Sequence, residues 1–251
     1  MTLNDTEVLP SEQDLCSLED SACNLRLIAE LAWDIGCASP GKFLDIGCGT
    51  GLMAQALAAF TGLEAQGTER SPLAYRMASR RIACRLVTGN ALPFQSETFA
   101  AVVAINVIML IDQKLPFFRE AHRVLRHDGR LLILMPDAAD YNEKPLYRFI
   151  AGSMKASMES YGRIDEIMIN LHEAGFSRVT MRRVKLGNVE LARRYAERHR
   201  SGYLSNTQSQ SLESARTVGL RRFVVGADAL AAQGIRAHYD WERTLILGER
   251  T

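Results

Sequence analysis

The stretch Leu44-Asp45-Ile46-Gly47-Cys48-Gly49-Thr50-Gly51 (LDIGCGTG) closes an apolar run and sets three glycines within five positions. Glycine costs roughly 0.5–1 kcal/mol of backbone freedom relative to alanine, so its repetition implies positive φ or a close main-chain approach. The run before it, KFLDIG, reads as a strand, and residues 51–60 (GLMAQALAAF) read as the helix that follows. A strand, a glycine loop and a helix in that order open a phosphate-free or phosphate-binding βα unit alike, and the remaining elements must choose between them.

Outward from this loop, strands and helices alternate. LEAQGTE is a second strand, 72–84 a helix with proline at its start, RLVTGNA a third strand and AAVVAINVIML a fourth. A helix over 113–126 carries Phe117, Phe118, Ala121, Val124 and Leu125 on one face, and RLLILMP is a fifth strand after the turn His127-Asp128-Gly129. His122, beside Arg119 and Arg123, reads as a solvated surface residue. Continuous apolar strands joined by crossover helices indicate a parallel sheet covered on both faces, the doubly wound α/β class. Upstream, Leu18, Leu25, Ile28, Ala29, Leu31 and Ala32 recur at helical spacing and predict a helix ending near Gly36. Downstream, a helix over 163–174 leads to RVTMRRVKL, and WERTLILGE closes the chain, which brings the sheet to seven strands. The last two strands are separated by about fifty residues, longer than compact domains normally use. The expected organisation is an N-terminal tail and helix (1–36), a binding domain (37–186), a helical lid inserted at 187–237 and a final strand (238–251).

The 251 residues suffice for one large domain, and a net charge of +1 names no partner. No signal-peptide pattern and no apolar run of about 18 residues is present, so a cytoplasmic protein without a membrane partner is expected. Cys16, Cys23, Cys37, Cys48 and Cys84 are odd in number and form no C-x-x-C pair, which suits reduced thiols and no metal site.

Two cofactor readings compete at the loop. Counted from Gly49 and Gly51, the third position of a dinucleotide fingerprint is Ala54, a tolerated variant, so a nicotinamide or flavin cofactor stays open. Glu69, eighteen residues after Gly51, stands where a carboxylate accepts ribose hydroxyls, a need that every adenosine cofactor shares.

The order and spacing of LDIGCGTG, Glu69 in GTERS, GNALPF at 89–94, AVVAINV at 101–107 and REAHRVLRHDGRLLI at 119–133 separate the readings. Together they resemble the class I S-adenosylmethionine-dependent methyltransferases, in particular the small-molecule group with the ubiquinone and menaquinone C-methyltransferases (methyltransferase type 11 domain). The resemblance implies a Rossmann-like methyltransferase fold, with S-adenosylmethionine as cofactor and a small-molecule methyl acceptor. It implies that Asp45 and the main chain of Gly47, Cys48 and Gly49 face the methionine part and that Glu69 binds the ribose. Arg70 would lie against the adenine, Asn90, Ala91 and Leu92 would bind it, and Asn106 and Val107 would end the fourth strand beside the sulfonium. Asn90 stands where the family usually has Asp, and Ala100 where it usually has a second Asp. Ile108-Met109-Leu110-Ile111 replaces the polar residues that often supply a base, and Met109 reads as core.

A methyl on a sulfonium is already activated, so proximity suffices unless the acceptor must lose a proton. A base would then come from the lid, where Tyr195, Arg198, His199 and Tyr203 in ARRYAERHRSGY are the acceptor-pocket candidates. The arginines from Arg178 to Arg222 would attract an anionic partner or form a solvated helix face. A nucleic-acid (RNA) methyltransferase is disfavoured, because INVI replaces the N-P-P-[YF] type and no aromatic-basic interleaving marks a stacking platform. Also compatible with these motifs are an S-adenosylmethionine-binding protein that transfers no methyl, a decarboxylase or cyclase using the sulfonium charge, and a nicotinamide-dependent oxidoreductase.

Overall fold

A computed structural model describes residues 25–36, 41–87, 91–136, 164–190, 225, 229, 232–233 and 238–251. Its elements are α1 (Leu25–Ile35), β1 (Lys42–Ile46), α2 (Leu52–Thr61), β2 (Glu64–Glu69), α3 (Pro72–Ala78), β3 (Ala83–Leu86) and β4 (Phe99–Ile105), then a 3-10 turn (Ile108–Leu110). After it come α4 (Lys114–Val124), β5 (Leu125–Met135), α5 (Ile164–Glu173), β6 (Arg178–Glu190) and β7 (His238–Glu249).

Seven strands form one sheet in the order β3-β2-β1-β4-β5-β7-β6. The first five pair in parallel, and β7 runs antiparallel between β5 and β6. This is the doubly wound sheet that the alternation of elements implies, in the mostly parallel Rossmann-like form that the family resemblance implies. The order reverses beside β1, so the loops after β1 and β4 diverge there and leave a crevice at the carboxyl ends of the strands.

The continuous apolar runs are explained by two cores, one on each face. From β1, β4 and β5, Leu44, Val102, Ala104, Leu131 and Ile133 pack with Phe117, Phe118 and Ala121 of α4 and with Ile167 and Leu171 of α5. Their neighbours Phe43, Ala101, Val103, Leu132 and Leu134 point the other way, onto Leu27, Ile28 and Leu31 of α1 and Met53, Ala54 and Leu57 of α2. Each such large side chain is worth about 1.5–3 kcal/mol when fully buried, so both faces resist substitution. On the polar side of α1, Glu30 and Asp34 hold the Arg182 guanidinium of β6 at 2.7 and 2.6 Å.

Some boundaries differ from the sequence expectation. α3 ends at Ala78 rather than near residue 84, where Ser79 N–H and Oγ both reach the Tyr75 carbonyl. β3 accordingly starts at Ala83, pairing Gln66 with Ala83 and Glu69 with Leu86. The turn at 127–129 is a bulge inside β5, with Asp128 at φ 61 and the register jumping between Phe99↔Leu125 and Ala101↔Arg130. β6 and β7 pair as far as Glu190↔His238, so the connection between them is 191–237. Tyr195, Arg198, His199 and Tyr203 lie outside the described residues, as does Asn90.

Candidate functional site

The glycine loop is built on main-chain bonds to the neighbouring strand. Gly47 N–H and Cys48 N–H both donate to the Thr68 carbonyl, at 2.8 and 3.0 Å, and Gly51 N–H donates to the Cys48 carbonyl at 2.9 Å. Gly47, Gly49 and Gly51 have φ of 68, 58 and 81°, the left-handed region that glycine enters without strain. At Gly47 a further constraint acts, since an added Cβ would fall 2.6 Å from Val107 Cγ2. The closest approach that requires glycine here is therefore protein against protein.

Glu69, at the end of β2, is buried and ties three chain segments together. Its Oε2 accepts from Gly49 N–H at 2.9 Å, and its Oε1 accepts from Arg70 N–H and Ser71 N–H, both at 2.8 Å. A carboxylate offers about four acceptor positions, so roughly one stays open for a ligand hydroxyl unless a main-chain bond is exchanged. Arg70 beside it is exposed, Asp45 is buried at the end of β1, and Leu92 is buried against the α4 face. Asn106 follows β4 in a left-handed conformation at φ 55, its N–H on the Leu134 carbonyl at 2.8 Å. Asparagine is among the few side chains that tolerate this backbone, so local geometry alone accounts for its identity. Val107 and Met109 are partly buried against the α4-side core.

The loop 91–94 is gripped by a pair of residues to which sequence reasoning assigns no role. Glu120 Oε2 accepts from Leu92 N–H at 2.9 Å, while Arg123 donates to the carbonyls of Leu92 and Phe94 at 3.0 and 2.9 Å. The two side chains also bind each other, Arg123 Nε to Glu120 Oε1 at 2.7 Å and Nη2 to Oε2 at 2.8 Å. The Arg123 bonds hold the Glu120 carboxyl below the usual carboxylate range, and Glu120 in turn raises the guanidinium. Their i, i+3 spacing on α4 is visible in sequence, but the loop they hold is not.

Residues 44–133 match the methyltransferase domain family. The chain carries an S-adenosylmethionine-dependent methyltransferase domain. The chain is 27% identical over 183 residues to demethylmenaquinone methyltransferase of Tropheryma whipplei, with 63% of this chain and 76% of that protein covered. It is 30% identical over 169 residues to the ubiquinone/menaquinone biosynthesis C-methyltransferase of Agrobacterium fabrum, covering 55% and 65% respectively. Among solved structures, an Anabaena variabilis putative methyltransferase from an antibiotic biosynthesis pathway shares the fold, with a TM-score of 0.70 at 16% identity and 90% and 97% of the chains covered.

Asp45, Gly47, Cys48, Gly49, Glu69, Arg70, Asn106 and Val107 lie at or just beyond the carboxyl ends of β1, β2 and β4, whereas Leu92 lies in the loop before β4 that α4 holds. The exposed Ala91 opens the loop held by Glu120 and Arg123. A fixed carboxylate with roughly one acceptor position open suits ligand hydroxyls such as those of an adenosine ribose. Among the described residues no cluster of three or more metal-ligating side chains occurs, and no helix is long and apolar enough to cross a membrane.

Proposed function

We propose that the methyltransferase holds S-adenosylmethionine between the β1 loop and Glu69 and passes its methyl to a quinone-like or phenolic small molecule in the cytoplasm. The observation that carries the cofactor part is the 2.9 Å bond from Gly49 N–H to Glu69, which fixes the acid and the bared loop on one crevice. Asp45 and the main chain of Gly47, Cys48 and Gly49 would take the amino-acid end, Glu69 the ribose, and Arg70, Ala91 and Leu92 the adenine, with Asn90 completing it. Asn106 and Val107 would border the reacting sulfur. Bound there, the cofactor supplies a methyl group already activated by the sulfonium. The chain's own contribution is to hold the acceptor in line and to exclude water, an advantage worth about 7–11 kcal/mol in well-oriented systems. The acceptor class is supported by the quinone methyltransferases to which the chain is similar, and by the apolar Ile108-Met109-Leu110-Ile111 segment after β4, which suits an apolar ring. Tyr195, Arg198, His199 and Tyr203 are the proposed acceptor-side residues.

Thermal unfolding with added ligand tests the cofactor. S-adenosylhomocysteine at 100 times its Kd stabilises by about 2.7 kcal/mol, so the melting temperature should rise with it and stay unchanged with NAD(P). A rise with NAD(P) alone would overturn the assignment. Transfer of labelled methyl to a panel of hydroquinones and phenols then tests the acceptor, and transfer confined to RNA would refute the small-molecule reading.

A further inference from the structure

The glycine loop contains a thiol that meets a second thiol from the edge of the sheet. Cys48 Sγ lies 3.6 Å from Cys84 Sγ, although 36 residues separate them in sequence. Gly67 makes this contact possible: a Cβ there would stand 2.7 Å from Cys48 Sγ and 2.8 Å from Ile82 Cδ1. Gly67 is also the register partner of Cys84, so the Cys48 side chain crosses β2 over the missing side chain to reach β3. Cys48 is buried, whereas Cys84 is half-buried on the edge strand, where a small oxidant can reach it.

We propose that Cys48 and Cys84 are a dithiol site which a hydroperoxide converts to an intramolecular disulfide, and that this bond closes the cofactor crevice. The consequence for the crevice rests on the function proposed above. The bond itself does not. The Cys84 sulfur attacks one peroxide oxygen, the O–O bond breaks, and the departing oxygen leaves as an alcohol, or as water from hydrogen peroxide. Cys84 is then a sulfenic acid. The Cys48 sulfur attacks the Cys84 sulfur, the S–O bond breaks, and hydroxide leaves with the Cys48 proton as water. Two thiols and one hydroperoxide thus give one disulfide, one alcohol and one water.

Roles within the pair follow from their surroundings. The hydrogen bond between the two sulfurs holds the Cys84 thiol below its ordinary range, and Cys84 is the more exposed of the two, which makes it the nucleophile. Cys48 is pushed far up, first by that same hydrogen bond and then by burial, so it stays a thiol until Cys84 has been oxidised. Bond closure brings the sulfurs from 3.6 Å to about 2.05 Å, a contraction shared between side-chain rotation and the backbone. Cys48 is anchored through its N–H on Thr68, so the four-residue β3 takes up part of it. Any remainder displaces the main chain of Gly47–Gly49 itself. That displacement acts on the proposed cofactor contacts.

The test treats the full chain with hydrogen peroxide, alkylates it and digests it with trypsin. The expected product joins the Cys48 peptide (43–70) to the Cys84 peptide (82–85), with both peptides released by dithiothreitol. Calorimetric affinity for S-adenosylhomocysteine should fall at least tenfold on oxidation and return on reduction. Cys84→Ala should bind as the reduced protein does and be unaffected by peroxide. Absence of the joined peptide, or pairing of either cysteine with Cys16, Cys23 or Cys37 instead, would overturn the dithiol site. A joined peptide with undiminished affinity would overturn the closure. Reduced protein that fails to bind S-adenosylhomocysteine at all would overturn the cofactor reading and the closure together, while the joined peptide would still establish the dithiol.

Discussion

Gly47 and Glu69 show how single residues fix the loop. An alanine at 47 meets both a left-handed backbone, costing roughly 1–2 kcal/mol, and the Val107 methyl 2.6 Å from its Cβ. Gly47→Ala should therefore lower stability in urea unfolding by more than the backbone cost alone. Adding Val107→Ala should recover the excess and leave the backbone part, a coupling that a double-mutant cycle reads directly. At Glu69 the amide of a glutamine keeps one acceptor oxygen and turns the other acceptor into a donor facing a main-chain N–H. Glu69→Gln should cost about 1–3 kcal/mol of stability and weaken S-adenosylhomocysteine binding, measured by unfolding and by calorimetry; unaltered values would remove Glu69 from the crevice. These two positions are legible in sequence because glycine and a lone acid after a strand have few other uses. The reason for glycine at 47 is not legible, since its neighbour is Val107, a contact between segments 60 residues apart. His122 also departs from the solvated residue that its basic neighbours suggest. Its ring packs edge-on against Phe176 at 5.2 Å, and burial, then Arg250, lowers its pKa.

Helix α4 acts as a clamp, one element holding another's loop in position. Losing the charge of Glu120 removes the strong acceptor for Leu92 N–H and half of the partnership with Arg123. Glu120→Gln should raise the Michaelis constant for S-adenosylmethionine several-fold with kcat within about twofold, because in the proposed site the loop borders the adenine and not the sulfur. The pH dependence has a definite sign. A carboxyl whose folded pKa is depressed stabilises the fold above its unfolded value of about 4.3, and the contribution is lost as pH falls through the lower folded value. The stability gap between wild type and Glu120→Gln should therefore be fully present at neutral pH and shrink below about pH 4 in urea titrations. A gap independent of pH would assign the bond no charge character. Elements with both faces buried, such as β4 and β5, are readable as apolar runs. The limits of α3 and β3 are not, because the pairing of Gln66 with Ala83 decides them, and helical periodicity through Arg80 and Arg81 gives no sign of it.

Across the whole molecule, the arrangement depends on its last strand. β7 fills the gap between β5 and β6, buries Leu245 and Ile246, and is followed by Arg250, which donates to carbonyls of His122, Arg123 and Leu125 at the end of α4. A cation at a helix C-terminus is favourable, so the tail supports the same helix that clamps the 91–94 loop. A chain ending at 237 should show no cooperative thermal transition by circular dichroism and no binding of S-adenosylhomocysteine. Retained cooperativity would mean that β5 and β6 stand without their shared partner. The doubly wound order of β1 to β5 is legible from alternation alone, and the antiparallel insertion of β7 follows from no local pattern in WERTLILGE. That insertion also sets a timetable during synthesis. Between Glu190 and Glu249 a ribosome adds 59 residues, roughly 3–12 s at about 5–20 residues per second, and throughout that interval the nascent β5 presents an unpaired, apolar edge. Slow translation of 191–237 prolongs the exposure, so yield of native enzyme in a cell should depend on codon speed and on chaperone supply in that segment more than anywhere else in the chain.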